Sequence, residues 1–119
     1  MKNDLIYLYC VTDSPPFPGQ SIESHGLNSI QFRNFYMIIR YVPHSEFSEE
    51  NLKINLSDIH WLEIMAGEHE NVINKVMQYN TAIPFKLGTI FNSEENLKKF
   101  ISDYSESVKE KFIQINGKE

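Results

Sequence analysis

The sequence predicts an α+β fold: a small mixed sheet of about four strands with two long helices packed on one face. Three observations carry that prediction. Two segments, residues 4–12 and 35–42, are apolar or aromatic at both phases of a two-residue alternation, as covered strands are. Two later segments repeat apolar residues at helical spacing. The order is strands first and helices later, without the regular alternation of a parallel α/β fold.

The first strand places Leu5, Tyr7, Tyr9 and Val11 on one side and Ile6, Leu8 and Cys10 on the other. Asp13 to Leu27 holds Pro15, Pro16, Pro18, Gly19 and Gly26 and reads as a loop, long enough to be functional or mobile. A strand pair follows at 28–32 and 35–42, joined by Arg33-Asn34; Phe35, Met37, Ile39 and Tyr41 oppose Tyr36, Ile38 and Val42. Pro43 ends it, and Ser48 caps a short helical piece at 49–53 whose first turn is acidic.

Ser57 is the expected N-cap of the main helix, 58–79. Its stripe is Ile59, Leu62, Met65, Ala66, Val72, Ile73, Val76 and Met77, and His69 falls on the same line. Residues 81–91 form the last strand region, with Pro84 at an edge or strand start and Gly88 at a bulge or close backbone approach. Asn92 with Glu95 makes a capping box for the final helix, which carries Leu97, Phe100, Ile101, Tyr104, Val108, Phe112 and Ile115, with Gly117 as its stop.

Two strands apolar on both faces leave one face of this arrangement bare, because two helices on the same side cover only one. Either the 13–27 loop folds over the second face, or something outside these residues does.

Composition narrows the function. At 119 residues, 41% hydrophobic and 23% charged, the chain supports one core and is neither disordered nor fibrous. The longest apolar run, Leu5 to Val11, is far short of the roughly 20 residues of a membrane span, and no secretory signal is visible. Cys10 is the single cysteine, so no intramolecular disulfide forms; in a buried strand it is a packing thiol. The net charge of −5 lies wholly on residues 46–119, where 13 acids face 8 bases, and two arginines suit a phosphate backbone poorly.

No motif amounts to an active site. Gly67-Glu68-His69-Glu70 has the residue types of a metal or acid–base centre but not the geometry. His60 and His69 stand nine residues apart, about 900° of helical rotation, and consecutive Glu68, His69 and Glu70 diverge where a helical zinc pair needs i, i+4 spacing. His25 and His44 lie in loops. His69 is read as a hydrogen-bonded core or interface histidine, a partner contact being the alternative. Lys86, Gly88 and Thr89 lack the glycine–lysine run of a phosphate loop, and Glu46, Glu49 and Glu50 are a solvated, helix-starting patch. No catalytic, cofactor or metal residue is assigned.

An ordered set of short blocks is more specific. His69-Glu70-x-Val72, then Ile83-Pro84-Phe85-Lys86-Leu87-Gly88-Thr89-Ile90-Phe91, then Ser93-Glu94-Glu95-x-Leu97 resembles the gas vesicle protein GvpL/GvpF family. Tyr7-Leu8-Tyr9 and the Gly117-Lys118-Glu119 ending fit it too, and Trp61-Leu62 sits where the family has a similar pair. Cys10 departs from a usual glycine and Lys86 from a more frequent arginine. Family chains continue past Gly-Lys-Glu into a second α+β domain, so residues 1–119 resemble the N-terminal domain alone.

The resemblance implies a non-enzymatic role: an accessory or minor structural protein of gas vesicle formation, inside the cytoplasm. Its partners would be the small, hydrophobic shell-forming protein and other accessory proteins, with no cofactor, no nucleic acid and no membrane span. A generic α+β interaction or regulatory domain is the alternative reading, and a small enzyme a third, which needs a pocket of converging polar groups. The candidate structural or interface residues are His69, Trp61, Pro84, Lys86, Gly88, Thr89, Tyr7, Tyr9 and Ile113. A semi-exposed apolar surface is expected, built from Tyr7 and Tyr9 or from the terminal helix around Ile113, to meet the second domain or a shell subunit.

Overall fold

In a computed structural model, which describes residues 4–116, five strands form one sheet. They are β1 (Leu5–Thr12), β2 (Asn28–Phe32), β3 (Phe35–Val42), β4 (Ala82–Pro84) and β5 (Ile90–Phe91). The spatial order is β2–β3–β1–β4, with β5 on the same side of β1 as a separate short pairing. The α+β class is as the sequence predicts. Every pairing is antiparallel, which corrects the expected mixed sheet: β4 runs in the direction of β3, but β1 lies between them. The expected single strand at 81–91 is two short ones, because the backbone turns at Gly88 with φ +86°.

Among the described residues three α-helices lie between β3 and β4, α1 (His44–Phe47), α2 (Glu49–Leu56) and α3 (Ile59–Met77), and two follow β5, α4 (Glu94–Asp103) and α5 (Ser105–Asn116). Ser48 caps α2 as expected, its side chain accepting from Asn51 N–H. The cap of α3 is Asp58 rather than Ser57, its carboxylate accepting from the His60 and Trp61 amides. Ser93, not Asn92, caps α4 and accepts from Asn96 N–H, so the expected capping box does not form. The final helix is interrupted at Tyr104. Gly117 lies outside the described residues.

The two long helical segments do not share a face. α3 packs Val72 and Val76 onto one side of the sheet, with Phe47 from α1; α4 and α5 bring Leu97, Ile101, Val108 and Phe112 to the other. That corrects the one-sided packing, and the physical reason was already present in β1: all eight of its residues are buried, which requires cover on both faces. Within α3, Ile59, Ala66 and Met77 are exposed, so the buried line narrows to Trp61, Met65, His69, Val72, Ile73 and Val76.

A β-bulge alters the faces of β1. Leu8 pairs with Ile39 and Cys10 with Ile38, so the register slips across Tyr9. Beyond it the alternation is reversed: Cys10 joins Leu5, Tyr7 and Tyr9 on the α3 side, and Val11 joins Ile6 and Leu8 on the α4–α5 side.

The 13–27 loop closes over the α3 side. Phe17 and Leu27 are buried in that core, and a short 3₁₀ turn spans Ile22–His25. Asn80, just after α3, holds the loop: its Oδ1 accepts from Phe17 N–H at 3.2 Å, and its Nδ2 donates to Pro15 O at 2.8 Å and Ser14 Oγ at 2.9 Å. The bare second face that the sequence left to this loop or to something outside does not arise, because helices cover both faces and the loop adds to the α3 side.

Candidate functional site

Tyr7 and Tyr9 stand one alternation apart on the α3 side of β1, and α3 crosses above them with Glu68 and His69. Their rings lie 4.7 Å apart, and each lies 5.6 Å from the His69 ring. Both tyrosines are 1% exposed, which removes them from any accessible surface and corrects the expectation that strand tyrosines form one.

The polar ends of these rings are joined. Tyr7 Oη lies 2.8 Å from His69 Nδ1, and His69 Nε2 lies 2.8 Å from the Phe85 carbonyl oxygen. A carbonyl only accepts, so Nε2 carries the ring proton; in the neutral ring Nδ1 then accepts from the Tyr7 O–H. The Tyr7 oxygen in turn accepts from Gly88 N–H at 3.4 Å. One histidine thus ties β1, α3 and the 85–89 turn together. Burial pushes the Tyr7 hydroxyl up to about 12, the Gly88 amide opposing it.

Beside this line runs a charged one. Tyr9 O–H donates to Glu68 Oε2 at 2.9 Å, and Arg40 Nη1 of β3 pairs with the same oxygen. The Arg40 guanidinium also sits 5.8 Å from the centre of the Tyr9 ring. Glu68 Oε1 is buried with no hydrogen-bond partner among the described residues. Burial first, then the Glu68 charge, raises the Tyr9 hydroxyl above its ordinary value. Cys10, next along the strand, is pushed up to about 12 by burial and is a packing thiol.

The remaining candidates are dispersed. Trp61 is half-buried and reaches the cluster through Phe47, whose ring lies 5.6 Å from Trp61 and 5.8 Å from Tyr7. Pro84 is exposed at the end of β4. Lys86 is exposed in the turn after it, its carbonyl accepting from Thr89 Oγ1 at 2.6 Å. Ile113 is 65% exposed on α5, apart from all of these.

Sequence reasoning singled out His69, Tyr7, Tyr9 and Gly88 but missed Arg40, Phe17 and Asn80, and read Glu68 only as a poor metal ligand. Arg40 carried a signal: it is the one charge inside the apolar strand Phe35–Val42. A lone charge flanked by apolar residues needs a partner across the sheet or above it. Among the described residues no group of three or more histidine, cysteine, aspartate or glutamate side chains could hold a metal. Among the described residues no helix is long and apolar enough to cross a membrane.

Two comparisons bear on this arrangement. The sequence model of the family described as "Gas vesicle synthesis protein GvpL/GvpF" matches residues 5–119. "Gas vesicle protein L" of Streptomyces sp. (strain CB03234) is 27% identical over 105 residues, covering 83% of this chain and 39% of that protein. The chain therefore spans well under half the length of that relative. No solved structure matches.

Proposed function

We propose that this chain, which belongs to the gas vesicle synthesis protein GvpL/GvpF family, acts in gas vesicle formation as an accessory or minor structural component. It works through contacts with the shell-forming protein and other accessory proteins, at the gas vesicle within the cytoplasm, and not by catalysis. The carrying observation is the family match, which runs from the first residue of β1 past the end of α5.

The geometry supports the non-catalytic part of this reading. The polar cluster that most resembles an acid–base centre is committed internally: His69 has both ring nitrogens in hydrogen bonds, and both tyrosine hydroxyls are sealed under α3. A general base needs a free face toward a reacting proton. Residues 1–119 are proposed to form one α+β domain corresponding to the N-terminal part of the longer relative.

The experiment is co-expression of the tagged chain with the small shell protein, followed by affinity capture and by counting vesicles in cells with and without the gene. Capture of the shell protein or of another vesicle component, with loss of vesicles on deletion, is the expected result. Normal vesicles without the gene, together with no captured vesicle protein, would overturn the reading in favour of a general interaction domain.

A further inference from the structure

Strand β2 ends the sheet at the side away from β4, with β3 as its neighbour. The two-residue turn at Arg33-Asn34 sets the phase of that pairing. Phe32 and Phe35 close the hairpin as a hydrogen-bonded pair, and Ile30–Met37 and Asn28–Ile39 are the next two. Ser29 and Gln31, between them, therefore turn their N–H and C=O groups away from β3. Both residues are exposed, and among the described residues neither has a further hydrogen bond.

Edge strands that stay single carry a device against pairing: a charge, a proline, a bulge or a cover. β2 reads Asn28-Ser29-Ile30-Gln31-Phe32, with no charge and no proline, and its register with β3 runs without a shift. Its outward groups call for another extended backbone, since a helix has its own groups engaged.

Register and charge single out which backbone. An antiparallel copy of β2 centred on Ile30 sets Ser29 against Gln31 of the copy, and Gln31 against its Ser29. All the outward groups of both strands then pair, in four main-chain hydrogen bonds. Shifted registers are poorer: they bring in Leu27, whose N–H is already bonded to Ile22 O at 3.4 Å, or Arg33 in the turn. The side chains agree with the centred register. The two Ile30 residues meet across the axis on the α4–α5 side, where Ile30 and Phe32 already pack, and the Ser29 hydroxyl faces the Gln31 amide on the other side. The chain's charge of −5 lies on residues 46–119, while residues 1–45 sum to zero. Two acidic copies therefore approach with least repulsion along this uncharged edge.

We propose that the β2 edge pairs with the β2 edge of a second copy of this chain, antiparallel about Ile30, so that one sheet runs through a two-fold dimer. The shared strip is short, and the dimer forms at about 100 µM rather than at nanomolar concentration. This goes beyond the function proposed above, and its test contains no vesicle component, so either can fail without the other.

The test is sedimentation equilibrium of the purified chain from about 10 µM to about 1 mM, with amide exchange followed at both ends of the range. The expected result is a mass that rises toward twice that of the chain, and about tenfold slower exchange of the Ser29 and Gln31 amides at the high end. Gln31→Pro removes an N–H that β3 does not use, so the fold remains and the dimer is lost. Ser29→Lys with Gln31→Lys, and Ser29→Glu with Gln31→Glu, each set like charges opposite one another and should each be monomeric. Mixed in equal amounts, these two double variants should dimerise again. Both positions are exposed, and circular dichroism verifies the fold of every variant. A monomer throughout the range would overturn the proposal, as would a dimer that persists in Gln31→Pro. Protection at residues other than 28–32, or folded double variants that stay monomeric when mixed, would overturn it as well.

Discussion

Tyr7 and His69, 62 residues apart in the chain, meet at 2.8 Å between Oη and Nδ1 in the core. The contact is the crossing point of β1 and α3, and through His69 Nε2 it continues to the Phe85 carbonyl. Neither partner is replaceable by an apolar residue without stranding the other's polar atom in the interior.

His69→Ala is expected to destabilise the fold by about 1–3 kcal/mol, because it leaves the Tyr7 O–H without its acceptor and removes the Nε2–H donor from the Phe85 carbonyl. Tyr7→Phe should cost less, and the double variant less than the sum of the two. Urea denaturation of all four proteins measures this coupling. Additive losses would mean that the two side chains act independently.

Stability should fall at alkaline pH. Tyr7 has a folded value of about 12 against an ordinary 10.0, and Tyr9 is raised as well. Between those values the folded chain holds protons that the unfolded chain has released. The Tyr7 contribution is therefore complete below about pH 10 and is lost as pH rises through about 12, and Tyr9 acts in the same direction. The urea midpoint, followed from pH 8 to 12, should decline above 10, and less steeply in Tyr7→Phe. Identical slopes would remove Tyr7 from the explanation.

Gly88→Ala is expected to destabilise through backbone strain rather than collision. Its φ is +86°, while a Cβ built there would come no closer than 3.9 Å to Leu52 Cδ2. A loss of about 1–2 kcal/mol follows from forcing a side chain into the left-handed region. Gly88→Asn should lose less, since asparagine tolerates that region. Thermal melts of both variants distinguish the two causes: if asparagine, the larger residue, costs more, crowding and not strain is responsible.

Asn80→Ala should loosen the 13–27 loop, which buries Phe17 and Leu27 in the α3-side core. Its side chain makes three hydrogen bonds to Phe17, Pro15 and Ser14, and is itself buried. The expected outcome is a loss of about 1–3 kcal/mol. Limited proteolysis should show faster cleavage within 13–27 than in the parent chain, while cleavage elsewhere is unchanged. A uniform increase would instead report global unfolding.

Much of this architecture was written locally. The two-residue alternation in β1 and β3 showed that both strands are covered on both faces, and the α3 periodicity set His69 in line with Val72 and Val76. Ser48 as a cap and Gly88 as a position of unusual backbone were legible for the same reason, since each depends on dihedral angles and hydrogen bonds within a few residues; that the strand divides there was not. The tertiary structure decided which face each helix took, because a helical stripe is equally satisfied by either side of a sheet apolar on both. It also decided the bulge at Tyr9, which depends on pairing with β3 and moved Cys10 and Val11 to opposite faces from those that simple alternation assigns. The same holds for the cluster itself. Arg40, Glu68 and Tyr9 come from three elements, and nothing local to any one of them records the others; only the packing of α3 across β1 and β3 brings the two charges and the hydroxyl to a single oxygen.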